Sequence, residues 1–315
     1  MSTHPTELQR FRDEFQVAIE NGEGNGNPFT SELLQSIERS PHWINFEIDR
    51  SPYRGITPFW WAAYHHRWTI FKRMLALYPQ ANFDATPVAE EHAGATVLWL
   101  AASEKQWHIV SEALVATPPV NINAGLTSSY HTGKSVLWLT AYYGRWELVE
   151  IMLAPIFKAD FSMTLEVKGS PTRTPITILQ LAADQGQWQL VPKILDCIPP
   201  ADIEAALSEG IDPGDTTLWL AAFDQQWDIV QMILKRCPAV DLNASPYEGE
   251  ESGMTVFWLA VRAKQWDVVE KMIAMNQKID LYVAPRNGLF AGMTPFKYLV
   301  EAEKRDLLRA CMARS

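Results

Sequence analysis

Cysteine is scarce: Cys197, Cys237 and Cys311 are the only three in 315 residues. Odd in number, far apart and never in a Cys-x-x-Cys pair, they exclude a disulfide framework and a zinc ribbon. They are expected as buried free thiols of a reducing compartment. Long apolar runs are missing too. No stretch approaches the roughly 20 apolar residues of a membrane span, and the polar, charged residues 1–20 lack the apolar segment of a secretory signal. A soluble cytoplasmic protein with no membrane partner is therefore expected, and the Asn243-Ala244-Ser245 sequon is a chance match. Basic charge is also short: 27 Lys and Arg stand against 37 Asp and Glu, a net charge of −10. Phosphate binding needs a basic face, and no run of Lys and Arg supplies one. The balance disfavours nucleic acid, and none is expected as a partner.

Signatures of catalysis are absent as well. The chain has no P-loop, no G-x-G-x-x-G after a strand, no H-E-x-x-H, no G-x-S-x-G and no kinase motif set. Its histidines are His4, His42, His65, His66, His92, His108 and His131. Only His65 and His66 adjoin, and neighbours on a helix diverge by about 100°, which is poor geometry for sharing a metal. Carboxylates gather at Glu90-Glu91, at Asp212 with Asp215, and at Glu248 with Glu250-Glu251. An acid/base pair needs carboxylates held at fixed separation in a rigid cleft, so these are read as a solvated acidic rim. No metal, cofactor or catalytic residue is expected, and the chain is read as a non-enzyme.

What the sequence does have is repetition and tryptophan. Its 47% apolar and 20% charged content is ordinary for a globular protein. Its length exceeds what one core usually serves, so two domains or a repeat array is expected. One phrase recurs: TPFWWAA at 57, TVLWLAA at 96, SVLWLTA at 135, TILQLAA at 177, TTLWLAA at 216, TVFWLAV at 255 and TPFKYLV at 294. The intervals are 39, 39, 42, 39, 39 and 39 residues. A second tryptophan follows each opening Thr or Ser by eleven positions, at Trp68, Trp107, Trp146, Trp188, Trp227 and Trp266, with Arg305 in the last copy. Every tryptophan except Trp43 belongs to this pattern, so tryptophan is architectural here rather than a ligand cage.

Each unit reads as helix, turn, helix, long loop. The opening Thr or Ser can cap a helix, and Pro58 and Pro295 suit the first helical position. In the unit that opens at Thr216, Leu218, Trp219, Ala221 and Ala222 form a short first helix with a small-residue face. After the polar break Asp224-Gln225-Gln226, the residues Trp227, Val230, Ile233 and Leu234 recur at helical spacing. Such a unit cannot bury its apolar faces alone and must stack on neighbours. Before the first phrase, 7–20 reads as an amphipathic helix carrying Leu8, Phe11, Phe15, Val17, Ala18 and Ile19. A Gly/Asn turn over 21–28 separates it from a second helix over 30–39.

The units resemble ankyrin repeats. That signature runs Gly-x-Thr-Pro-Leu-His-x-Ala-Ala, then Gly-His, an Ile-Val run and an Asp-Val-Asn-Ala-like hairpin entry. Here GATVLWLAA from Gly94, then His108-Ile109-Val110, then Val120-Asn121-Ile122-Asn123-Ala124 follow the same order, and the likeness covers about residues 50–315. It implies an all-α fold, an ankyrin-type helical repeat solenoid with long hairpin-side loops. Residues 1–50 would form an N-terminal helical cap and 51–315 an array of seven repeats, the last a C-terminal cap. Three departures stand out. Trp60, Trp99, Trp138, Trp219 and Trp258 replace the signature His. Between the helices only Gly144 and Gly186 survive; His66, Lys105, Gln225 and Lys264 stand where a positive φ is wanted. The period of 39 exceeds the family's 33 or so by about six residues. Those residues are expected in the hairpin-side loops, where function is commonly carried.

Ankyrin-type proteins usually bind partner proteins on a concave side built from first helices and hairpin loops. The resemblance implies that the two residues after each Ala-Ala position face that groove. The candidate partner-binding residues are Tyr64, His65, Glu104, Tyr142, Tyr143, Asp184, Phe223, Asp224 and Arg262. Exposed aromatics at such sites supply contact energy at low entropic cost; the bland alternative is that they cover neighbouring helices or fold back under the loops. An aromatic and acidic groove suits a protein partner with a basic segment, bound by a monomer. Tryptophan-rich, lengthened units are also similar to those in effectors of intracellular bacteria such as Legionella, which implies a host protein as partner and the host cytosol as the place of action. An enzyme whose active site is assembled from the long inter-repeat loops is the alternative.

Overall fold

The computed structural model describes residues 5–22, 29–49, 54–88, 93–115, 119–126, 134–161, 164–166, 175–199, 202–208, 215–275 and 278–313. Among them the protein is mostly helical, as the repeat phrase predicts. It opens with α1 (Pro5–Gly22) and α2 (Ser31–Arg39), followed by a 3-10 turn, Pro41–Asn45. Helix pairs then recur: α3 (Pro58–Tyr64) with α4 (Trp68–Leu77), α5 (Val97–Ser103) with α6 (Trp107–Leu114), and α7 (Val136–Tyr142) with α8 (Trp146–Met152). Between the third and fourth pairs, strands β1 (Thr164–Glu166) and β2 (Pro175–Thr177) form a short antiparallel ribbon. The fourth pair is α9 (Ile178–Asp184) with α10 (Val191–Cys197), and α11 (Ile203–Ser208) lies in the connection after it. The series ends with α12 (Thr217–Phe223) and α13 (Trp227–Arg236), α14 (Val256–Arg262) and α15 (Trp266–Ala274), and α16 (Pro295–Glu301) and α17 (Arg305–Met312). The histidines His4, His92 and His131, the carboxylates Glu90, Glu91 and Asp212, and most of the expected turn over 21–28 lie outside the described residues.

Seven first helices start alike because one local hydrogen bond recurs. The backbone N–H of Trp60, Trp99, Trp138, Gln180, Trp219, Trp258 and Lys297 donates to the hydroxyl of Thr57, Thr96, Ser135, Thr177, Thr216, Thr255 and Thr294, at 2.9–3.2 Å. Each cap satisfies a backbone donor that the helix leaves orphaned. The pairs also turn alike. His66, Lys105, Gln225, Lys264 and Glu303 hold φ of 55–58°, beside Gly144 at 67° and Gly186 at 66°. This left-handed residue ends the first helix and aims the chain into the second.

Second helices begin at the second tryptophan in five pairs. The fourth is the exception: Trp188 lies in a turn, and α10 starts at Val191. Pro192 explains the delay, since it has no N–H to return to the Trp188 carbonyl. Helix α10 buries Val191, Ile194 and Leu195. Cys197 lies off that stripe and is exposed, contrary to the expectation of a buried thiol, whereas Cys237 and Cys311 are buried.

The chain divides into two compact units. The first, Met1–Thr140 with Glu147–Ala159, has its N-terminal core where α1 meets α2 and the 3-10 turn. Phe11, Phe15 and Ile19 are buried there with Leu33 and Ile37, and the Phe11 ring lies 5.0 Å from Trp43. Further along this unit α3 packs against α5. In the second unit, Ala141–Trp146 with Asp160–Ser315, the first helices α9, α12, α14 and α16 pack in series, and α10, α13, α15 and α17 form a second row.

Long-range hydrogen bonds tie consecutive pairs together. The indole N–H groups of Trp60, Trp99, Trp219 and Trp258 donate at 2.6 Å to the carbonyls of Ala95, Lys134, Met254 and Met293. Each acceptor immediately precedes the next pair's capping residue. The indole at the fourth position of the phrase therefore joins one pair to the turn that opens the next. A second ladder runs through the turns that follow the second helices. Asn45, Asp84 and Asn243 accept, through their side-chain oxygens, the backbone N–H of Asn82, Asn121 and Asp280. The loops also approach closely. A Cβ at Gly94 would lie 2.1 Å from the Gly125 carbonyl oxygen, and one at Gly253 would lie 2.4 Å from that of Ala284.

Candidate functional site

The candidate residues occupy one structural position, the C-terminal end of each first helix. In the first unit, Tyr64 ends α3, His65 is its C-cap and Glu104 is the C-cap of α5. In the second unit, Tyr142 ends α7 and Tyr143 follows it. Asp184 ends α9, Phe223 ends α12 with Asp224 as its C-cap, and Arg262 ends α14. The short capped helix fixes this register, because six residues after each Thr or Ser the helix is about to stop.

Burial separates these residues into two kinds. Tyr142, Tyr143 and Phe223 are 42%, 38% and 41% exposed. The two tyrosine rings meet edge-on at 5.3 Å, and Phe223 stacks on Trp219 at 4.8 Å. Tyr64 is only half-exposed, because it stacks on Trp60 at 4.8 Å and leans on Trp61 at 6.4 Å. In both helices a tryptophan supports the aromatic one turn on, which fixes the ring at the surface.

His65 is half-buried against Trp61, with ring centroids 4.2 Å apart, and its Nε2 has no hydrogen-bond partner among the described residues. Burial lowers its pKa from the ordinary 6.5, helped by the positive fields of Arg67 and His66. The folded state therefore favours the neutral ring, and the stability this gives is present above 6.5 and lost as pH falls through the depressed value.

The charged candidates are partly engaged between pairs. Glu104 lies 3.4 Å from the His66 imidazole, and the Trp188 indole N–H donates to Asp224 at 3.1 Å. Trp146 makes the equivalent bond to Gln185 at 2.9 Å. Second tryptophans thus reach the C-terminal end of the next first helix, a role the repeat spacing alone did not reveal. Asp184 and Arg262 are exposed. The Arg262 guanidinium stacks 3.9 Å over the Phe290 ring and 5.6 Å from the Trp258 ring centre.

Phe290 is the site residue that sequence reasoning missed. It lies in the long loop between α15 and α16, four residues ahead of the phrase that opens at Thr294, and the loop folds back so that its ring is 5.7 Å from Trp258. Of the acidic rim, Glu248 and Glu250 are exposed on their loop. No group of three or more His, Cys, Asp and Glu side chains among the described residues could hold a metal ion. No helix among them is long and apolar enough to cross a membrane.

No protein-family model matches the chain, and no curated protein matches it significantly. The repeated geometry therefore carries the functional reading alone. In the second unit, Tyr142, Phe223 and the stacked Arg262 occupy equivalent ends of α7, α12 and α14, with Tyr143 packed beside Tyr142. Such groups combine large contact area with little rotamer freedom to lose on binding.

Proposed function

We propose that the protein is a non-catalytic binding scaffold of the ankyrin type, its helix pairs stacked as a repeat solenoid. It would hold a partner protein on the stripe formed by the ends of its first helices, together with the long loops beside them. The observation that carries this reading is the exposure of Tyr142 and Phe223 at equivalent helix ends, with Tyr143 beside the first, on first helices that bury most of their other large aromatics. Rigid, exposed aromatics at the ends of stacked helices are the composition of an interface core awaiting its partner. Glu104 and Asp224 on the stripe also make contacts between pairs, with the His66 imidazole and the Trp188 indole N–H.

The likeness of these lengthened, tryptophan-rich units to those in effectors of intracellular bacteria such as Legionella extends the proposal. The partner would be a host protein met in the host cytosol. Affinity capture from host-cell lysate with the full chain tests the stripe. Replacing Tyr142, Tyr143 and Phe223 together by Ala should abolish recovery of the specific partner while the circular dichroism spectrum stays unchanged. Undiminished recovery by the folded triple variant would refute the stripe as the binding surface.

A further inference from the structure

The candidate position holds an arginine in one pair only. Equivalent residues elsewhere are Tyr64, Ser103, Tyr142, Asp184, Phe223 and Glu301. Arg262 is exposed, and its described contacts are with aromatic rings, not with a carboxylate. A guanidinium stacked on a ring keeps its face covered and its edge N–H groups directed outward in a planar fork. That fork is pre-organised for a carboxylate, and the stacking reduces the side-chain entropy that binding would otherwise cost.

Beside it, between α12 and α14, lies a cleft of about 170 Å³. Phe223, Trp227 and Leu259 supply apolar wall, Gln225 a polar edge and Arg262 itself the rim. Phe223 is held from behind by Trp219, and Arg262 by Phe290. The cleft thus pairs one stacked cation with a small seat of mixed polar and apolar wall within the reach of a single residue. An amino acid at a chain end matches that pairing, because its α-carboxylate and its side chain leave the same carbon. A chain end also enters a small concavity without having to turn and leave it.

We infer that the cleft between α12 and α14 receives the carboxyl-terminal residue of the partner protein, with the terminal carboxylate on Arg262 and an aliphatic side chain against Phe223 and Trp227. The inference rests on the stripe being the binding face, and it adds the chemistry of what binds there. Fluorescence anisotropy on the full chain tests it with three fluorescein-labelled Gly/Ser hexapeptides. One ends in leucine with a free carboxylate, one ends in leucine amide, and one has an internal aspartate before leucine and an amidated end.

The free acid should bind about tenfold or more tighter than the amide. Arg262→Gln should bring the free acid down to the amide's affinity, and Arg262→Lys, which keeps the charge without the fork, should restore only part of the difference. Equal binding of acid and amide, no detectable binding of the acid at millimolar concentration, or indifference to Arg262→Gln would overturn the inference. So would an internal aspartate that binds as well as the chain end. The two readings fail separately. If partner capture depends on Tyr142 and Phe223 while acid and amide bind alike, the stripe stands and the carboxylate seat falls.

Discussion

At the scale of single residues, tryptophan does the joining. An indole N–H at the fourth position of the phrase reaches a carbonyl 35 residues on, at the threshold of the next pair. Trp219 is 3% exposed, so replacing it strands its acceptor in a place water does not reach. Trp219→Phe keeps most of the apolar volume and removes the donor. It should lower the unfolding free energy by about 1–3 kcal/mol, measured by urea denaturation, whereas a change within error would mean the bond contributes nothing net. The caps were legible in the sequence because they are local: a Thr or Ser bonds an N–H three residues away. The indole bonds were not, since composition and spacing showed only that tryptophan recurs. Which carbonyl it meets depends on how the long loop returns. Pro192 was visible, yet its consequence for the start of α10 emerged only with the turn around Trp188.

At the scale of elements, the left-handed residue between paired helices sets the angle at which each pair closes. Five described side chains other than glycine accept this conformation, among them Gln225 at φ 58°. Such a residue costs about 1 kcal/mol relative to glycine. Gln225→Gly should therefore raise stability by up to about 1 kcal/mol, offset in part by greater freedom of the unfolded chain. A large loss in thermal unfolding would show that the Gln225 side chain matters to the turn. The need for positive φ at His66, Lys105, Gln225 and Lys264 was readable from their place in the resemblance. The helical pairing was readable from apolar spacing. Loop structure was not: the β1–β2 ribbon, α11 and the return of Phe290 onto Arg262 lie where no periodic pattern constrains the chain.

At the scale of the whole molecule, repetition gives the stripe its positions and local substitutions give it its chemistry. Each first helix is capped and stopped the same way, so each delivers the side chain after its small-residue face to an equivalent place. What stands there differs from pair to pair: a tyrosine pair, a carboxylate, a stacked phenylalanine and a stacked arginine. The framework positions could be read from the sequence, and so could the aromatic candidates. The division of labour among the acidic ones could not, because Glu104 and Asp224 find their partners in neighbouring pairs.

Site-specific photo-crosslinking tests the binding stripe most directly. A benzoylphenylalanine probe replacing Tyr143, at the end of α7, and another replacing Glu270, exposed on α15 in the second row, are irradiated separately in host-cell lysate. The account predicts one dominant adduct from position 143, which excess unlabelled wild-type protein competes away, and none from position 270. An adduct from position 270 alone, or equal adducts from both, would contradict the assignment of binding to the first-helix ends.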